Sequence, residues 1–207
     1  RYKDIKKWYD HVENFIGVSG NKDNLPQIPD GNFLPPWSMN CIEKHIKSKI
    51  ANHYSDRVLT IGRTTNLTKP HGGRGKCMAR NLCVRGCPYG AYFSSNSVTL
   101  PAAQKTNNMT LRPNSIVYTI LFDKNTKKAT GVRVVDEITK ETIEFKSKIV
   151  FLCASTLGST SILLNSVKNS FVDGLGNTSG QLGHNLMDNH FQVGAYGRYK
   201  GYENKYH

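Results

Sequence analysis

The apolar residues change their period between residues 115 and 165, and that change limits the folds open to the chain. Ile116–Phe122 (IVYTILF) and the run GVRVVDEI from Gly131 read as two strands, with a turn over Lys124–Lys128 between them. Thr142–Lys146 alternates polar and apolar residues. Alternation marks a strand with one wet face, so these three predict an antiparallel meander. Ile149-Val150-Phe151-Leu152 is continuously apolar instead. That pattern belongs to a strand buried on both faces, as in a parallel sheet. STLGSTSILLNS follows directly and predicts a helix. A buried strand, a small-residue turn and a helix N-terminus form a place where backbone N–H groups can meet a phosphate. The expected fold class is α/β, with mixed α+β character in this stretch.

The N-terminal half has a different texture. Ile5, Trp8, Tyr9, Val12 and Phe15 recur at helical spacing and predict a helix over Asp4–Phe15, stopped by Gly17 and Gly20. Residues 21–40 hold four prolines and predict an ordered loop. A second helix is expected over Met39–Tyr54, with Asn40 as its cap and Glu43 completing a capping box. RVLTIGR, residues 57–63, reads as a short strand, and 97–106 as a short helix. Between them, residues 64–96 form a long irregular segment rich in glycine. Loops of that length in compact proteins are usually functional.

Charge narrows the partners. The chain nets +13, with charged residues at 21% and apolar residues at 38%, so it is globular rather than disordered. Lysine and arginine are spread from Arg1 to Lys205 without a run of five. A solvated basic surface is therefore favoured over a nucleic-acid face. No apolar stretch approaches the length of a membrane-spanning helix. The chain starts at Arg1 rather than Met and reads as an internal piece of something longer, so its compartment, cytoplasmic or periplasmic, stays open.

Three of the five cysteines fall in CMARNLCVRGCPYG, as Cys77, Cys83 and Cys87, spaced C-x5-C-x3-C and followed by proline. Thiolates in a basic, glycine-rich loop suit iron–sulfur chemistry, and Lys76, Arg80 and Arg85 would favour the thiolate form. Cys41 is available as a fourth ligand. Zinc is less suited, because the C-x2-C knuckle is absent. Structural thiols and a disulfide that leaves one odd thiol remain the alternatives.

The order of these pieces resembles the middle of glucose–methanol–choline (GMC) oxidoreductases, and the resemblance covers nearly the whole chain. Asn114 and Val117 fall at the family's Asn-x-x-Val element on the adenine side of FAD. Ala154, Ser155 and Gly158 fall at its small-residue turn, with Ser155 where glycine is usual. QLGHNLMDNH, with Gly183, Asn185, Leu186 and Asp188, resembles its Val-Gly-x-x-Leu-x-Asp-His segment. The resemblance implies an FAD-binding Rossmann-like domain with a meander, plus part of a substrate or cap domain. It divides the chain into a cap-side segment, 1–96, with a Cys-rich loop at 72–92. Part of the FAD domain then spans 97–166, and the start of the substrate domain 167–207.

The implied activity is oxidation of an alcohol group of a sugar or polyol. Asn114, Val117, Ala154, Ser155, Gly158 and Asp188 are the implied cofactor contacts, and Cys77, Cys83 and Cys87 the candidate metal ligands. Multi-subunit sugar dehydrogenases of this family carry a similar cysteine-bearing insert with an iron–sulfur cluster. Such a cluster passes electrons to a partner protein, here an acidic one. The family's G-x-G-x-x-G cradle and its catalytic histidine motif are absent from these 207 residues. The chain alone is thus expected neither to retain FAD nor to turn over. His190, next to the Asp188 segment, is the one histidine with a weak claim to a site. The competing reading is a small basic iron–sulfur electron carrier without catalysis.

Overall fold

A computed structural model describes residues 1–166, 171–189 and 193–203. The chain divides into two units, one of 1–109 with 197–207 and one of 110–196.

The first unit opens with α1, Tyr2–Ile16. Gly17 closes it in a left-handed conformation (φ 79°), with its N–H on Glu13 O at 3.0 Å. Glycine adopts that conformation without a Cβ penalty. The apolar stripe that predicted this helix is not packed away. Ile5, Trp8, Tyr9, Val12 and Phe15 are all exposed, and α1 has no buried residue.

α2, Cys41–His53, begins as its sequence dictates. Asn40 Oδ1 accepts the Glu43 N–H (2.9 Å), and Glu43 Oε2 accepts the Asn40 N–H (2.7 Å). Reciprocal bonds of this kind satisfy donors that a helix start would otherwise leave orphaned. The third helix, α3, covers Thr99–Gln104, inside the expected span.

Residues 57–63 form no strand, contrary to expectation. Isolated bridges occur just beyond them, Ser19 to Thr64 and Asn66 to Tyr92. A strand needs a ladder of successive pairs, and here the neighbouring segments touch only at single residues. Those bridges gather the core of the unit: Val18, Leu67, Ala91 and Val98 are buried, with Ser19 among them.

The second unit is the expected meander. β1 (Ser115–Asp123), β2 (Lys128–Asp136) and β3 (Thr142–Lys146) pair antiparallel in the order β1-β2-β3. Val117 faces Val134, and Val134 faces Ile143. α4, Ser155–Asn165, lies against β1. Its end is tied there by the buried Ser166, whose Oγ accepts the Ile120 N–H (2.8 Å) and donates to Ile162 O (2.6 Å). Ile120, Leu121, Val134 and Ile162 form the core.

The continuous apolar run departs from expectation. Residues 149–152 pair with no strand among the described residues. Ile149 is 69% and Phe151 83% exposed. A strand becomes buried on both faces only when strands beside it and layers above and below it exist. No described part of the chain supplies them.

The β2–β3 turn carries a pH-dependent tie. Asp136 accepts N–H bonds from Ile138 (2.9 Å) and Thr139 (3.0 Å) and pairs with Arg112 at 2.7 Å. The Thr139 N–H foremost, then the Ile138 N–H and Arg112, hold its carboxyl below the ordinary carboxylate value of 3.8. A carboxyl depressed in the fold stabilises it above the unfolded value and loses that contribution as pH falls through the folded one. Asp136→Asn should therefore lower the melting temperature near neutral pH. The gap to wild type should close as the pH drops below about 4, read by circular dichroism melts across pH.

Candidate functional site

The glycine-rich segment folds back on the first core and carries the cysteines with it. Cys77 N–H bonds to Leu67 O (2.9 Å), and Gly75 N–H bonds to Tyr89 O (2.8 Å). One turn of 3-10 helix, Cys83–Arg85, is closed by the Gly86 N–H on Cys83 O (3.2 Å). Gly86 (φ 95°) and Gly90 (φ 61°) reverse the chain on either side of Cys87. The result is a cavity of about 190 Å³ whose wall includes Cys77, Cys83, Cys87, Asn66, Arg80 and Tyr92.

All five cysteines are free thiols, so the disulfide alternative is not realised. Cys41 sits at the start of α2 and does not line the cavity. Two of the three cavity sulfurs accept an N–H bond. The Ala79 N–H reaches Cys77 Sγ at 3.5 Å, and Asn66 Nδ2 reaches Cys83 Sγ at 3.6 Å. The Cys87 thiol is held below its ordinary range, mainly by the Tyr92 backbone N–H, with those of Tyr89, Ala91 and Gly90 adding and burial opposing. N–H groups aimed at a sulfur favour its thiolate.

Among the described residues, no three His, Cys, Asp or Glu side chains gather closely enough to hold a single metal ion. The three thiols thus share a cavity without meeting at one point. In a cluster the cysteines bind different irons, so their sulfurs stand further apart than around a lone ion. The donor set, three thiols on the wall of one cavity, fits a cluster in its chemistry.

The setting is more cationic than an even spread of charge would make it. No Asp or Glu occurs between Asp56 and Asp123, while nine cations do: Arg57, Arg63, Lys69, Arg74, Lys76, Arg80, Arg85, Lys105 and Arg112. Lys76, Arg80 and Arg85 are exposed beside the cysteines.

The second unit holds another concave site, a cleft of about 390 Å³ between the first turns of α4 and the 183–187 segment. Thr156, Leu157 and Thr160 form one wall, and Gly183, His184 and Asn185 part of the other. Ala154 and Ser155 stand at the start of α4, and Gly158 lies in its first turn. Ser155 takes a left-handed conformation, φ 59°, which glycine adopts more easily. A helix start with small residues and an adjoining cleft fits the edge of a dinucleotide.

The remaining expected contacts are more dispersed. Asn114 is exposed just before β1, in a left-handed conformation (φ 55°), and its carbonyl accepts the Glu137 N–H at 2.9 Å. Val117 is half-buried on β1. Asp188 is exposed, with Oδ1 on the Asn189 N–H (2.7 Å), and does not line the cleft. His190 lies outside the described residues. Sequence reasoning missed Asn66, Thr156 and Thr160. Asn66 carries no local signal, since it lies 17 residues from the cysteine it touches. Thr156 and Thr160 carry no clear signal either, since α4 has no polar–apolar helical period.

The chain is 24% identical to the fructose dehydrogenase large subunit of Gluconobacter japonicus, over 90% of this chain and 34% of that protein. It is 28% identical to 2-methyl-1,2-propanediol dehydrogenase of Mycolicibacterium austroafricanum, over 93% of this chain and 34% of that protein. It is 25% identical to paromamine 6'-oxidase of Streptomyces fradiae, over 88% of this chain and 32% of that protein. The chain therefore spans about a third of the length of these curated relatives. The GMC oxidoreductase pattern matches residues 48–191, a stretch that takes in the cysteine cavity, the meander and the α4 cleft, and the chain belongs to the GMC oxidoreductase family.

Proposed function

We propose that this chain is part of an FAD-dependent dehydrogenase that oxidises an alcohol group of a sugar or polyol. Its electrons pass from the flavin to an external acceptor, and the cysteine cavity is where an iron–sulfur cluster would be held to supply one-electron transfer. The observation that carries the reading is the pairing of two sites within one GMC chain: a cleft at the start of α4 and a cavity lined by three thiols.

When bound, FAD supplies the two-electron acceptor for the alcohol carbon. The residues of this chain serve it by position. The N-terminal turn of α4 offers free backbone N–H groups to an anionic or polar edge. Ser155 turns the backbone into the helix, and Thr156 and Thr160 line the cleft. Cys77, Cys83 and Cys87 would hold the cluster, and the N–H groups around them offset thiolate charge. Lys76, Arg80 and Arg85, in a stretch without carboxylates, make this face suited to an acidic acceptor protein.

The names of the relatives support the substrate class, since they include a sugar dehydrogenase and a diol dehydrogenase. The test uses the full-length protein, purified without oxygen. It should carry FAD, hold iron and sulfide, and lose its flavin absorption on adding a sugar or polyol substrate. A full-length protein without flavin, or one whose flavin no alcohol reduces, would overturn the reading.

A further inference from the structure

We propose that Asn66 is a positioning residue of the cysteine cavity: its side-chain amide donates to Cys83 Sγ, orients that sulfur as a ligand and raises the reduction potential of the cluster it holds. The inference rests on the iron–sulfur reading above and adds to it the side chain that tunes the site.

Two of the three sulfurs accept an N–H bond, and that at Cys77 comes from the backbone, from Ala79. Cys83 has a side chain instead, with Asn66 Nδ2 at 3.6 Å. That amide has a fixed orientation. Thr64 Oγ1 accepts the Asn66 backbone N–H at 3.3 Å, which leaves its own proton free. The Thr64 hydroxyl donates that proton to Asn66 Oδ1 at 2.9 Å. With the oxygen end engaged, the NH₂ end turns to the sulfur.

The backbone below is equally fixed. Ser19 Oγ, on a nearly fully buried residue, donates to Asn66 O at 3.1 Å, and Leu67 beside it is fully buried. A donor held this firmly cannot follow the sulfur if the sulfur moves, so it selects one Cys83 orientation. An N–H···S bond also stabilises the more negative, reduced state of a cluster, which moves its potential upward. Asn66 lines the same cavity as the three cysteines, and its amide reaches the Cys83 sulfur there.

The test uses full-length protein, loaded anaerobically with ferrous iron and sulfide. Iron per chain and the cluster potential, from a redox titration followed by electron paramagnetic resonance, are measured for wild type, Asn66→Leu, Thr64→Val and Ser19→Ala. Asn66→Leu should retain wild-type iron and shift the potential negative. Thr64→Val, which frees the amide without removing it, should shift it the same way by less. Ser19→Ala loosens the Asn66 backbone but leaves the amide and its Thr64 bond, so it should shift the potential by less than Asn66→Leu does. Should Asn66→Leu fail to fold, Thr64→Val decides by the same shift. An iron-loaded Asn66→Leu at the wild-type potential overturns the proposal, as does a Ser19→Ala shift equal to that of Asn66→Leu. Flavin-loaded wild type that takes up no iron overturns the cluster reading and this inference together, and iron content alone reveals that case.

Discussion

Replacing Cys83 by Ser in the full-length enzyme is expected to abolish electron transfer to an external acceptor while leaving reduction of the flavin by substrate intact. Cys83 lines two adjoining cavities and touches Asn66 across the fold, so it stands where the cysteine loop meets the core. Serine keeps the shape but not the soft, readily ionised sulfur that iron prefers. The α4 cleft is built from other residues, in the other unit, and keeps its chemistry. Rapid mixing should show the flavin band bleaching at the wild-type rate, with acceptor reduction and bound iron both lost. A variant that still reduces the acceptor at the wild-type rate would leave the three cysteines as structural thiols.

Gly131→Ala should cost about 3 kcal/mol or more of stability, near the top of what overpacking and backbone strain each impose. Gly131 lies in β2 between Leu121 of β1 and Lys146 of β3. Its φ of 154° falls where side chains are rarely tolerated. A Cβ there would run into the Phe145 carbonyl oxygen and come within 2.9 Å of Lys146 Cα. Both are backbone atoms of the paired strand, so no rotamer change relieves the clash. The strands must separate or the ladder must slip. A urea titration followed by circular dichroism measures the loss. An unchanged midpoint would mean that β3 does not pair with β2 at this register.

Local chemistry is legible in the sequence. The capping box at Asn40 and Glu43, the stop at Gly17, the span of β3 and the antiparallel meander all follow from residues that meet their neighbours in the chain or in the next strand. Three short patterns mark three strands because a period of two admits few alternatives. The same logic fails at 57–63 and at 149–152. Their apolar content is real, but a strand exists only where another segment offers a ladder and a cover, and composition carries no record of that offer.

The sites divide in the same way. Spacing marks Cys77, Cys83 and Cys87 as a group, and the chain's own turns do bring them around one cavity. The small residues ahead of α4 are visible as a strand-to-helix turn. The left-handed backbone of Ser155, the cleft closed by the 183–187 segment and the Asn66 amide on Cys83 are not. Sequence by itself determined which residue types stand together along the chain, because caps, turns and periods are set by contacts a few residues apart. Only the tertiary structure decided which donor meets which sulfur, because that contact spans a glycine-rich segment whose path depends on the burial of Leu67 and Ala91 rather than on any local preference.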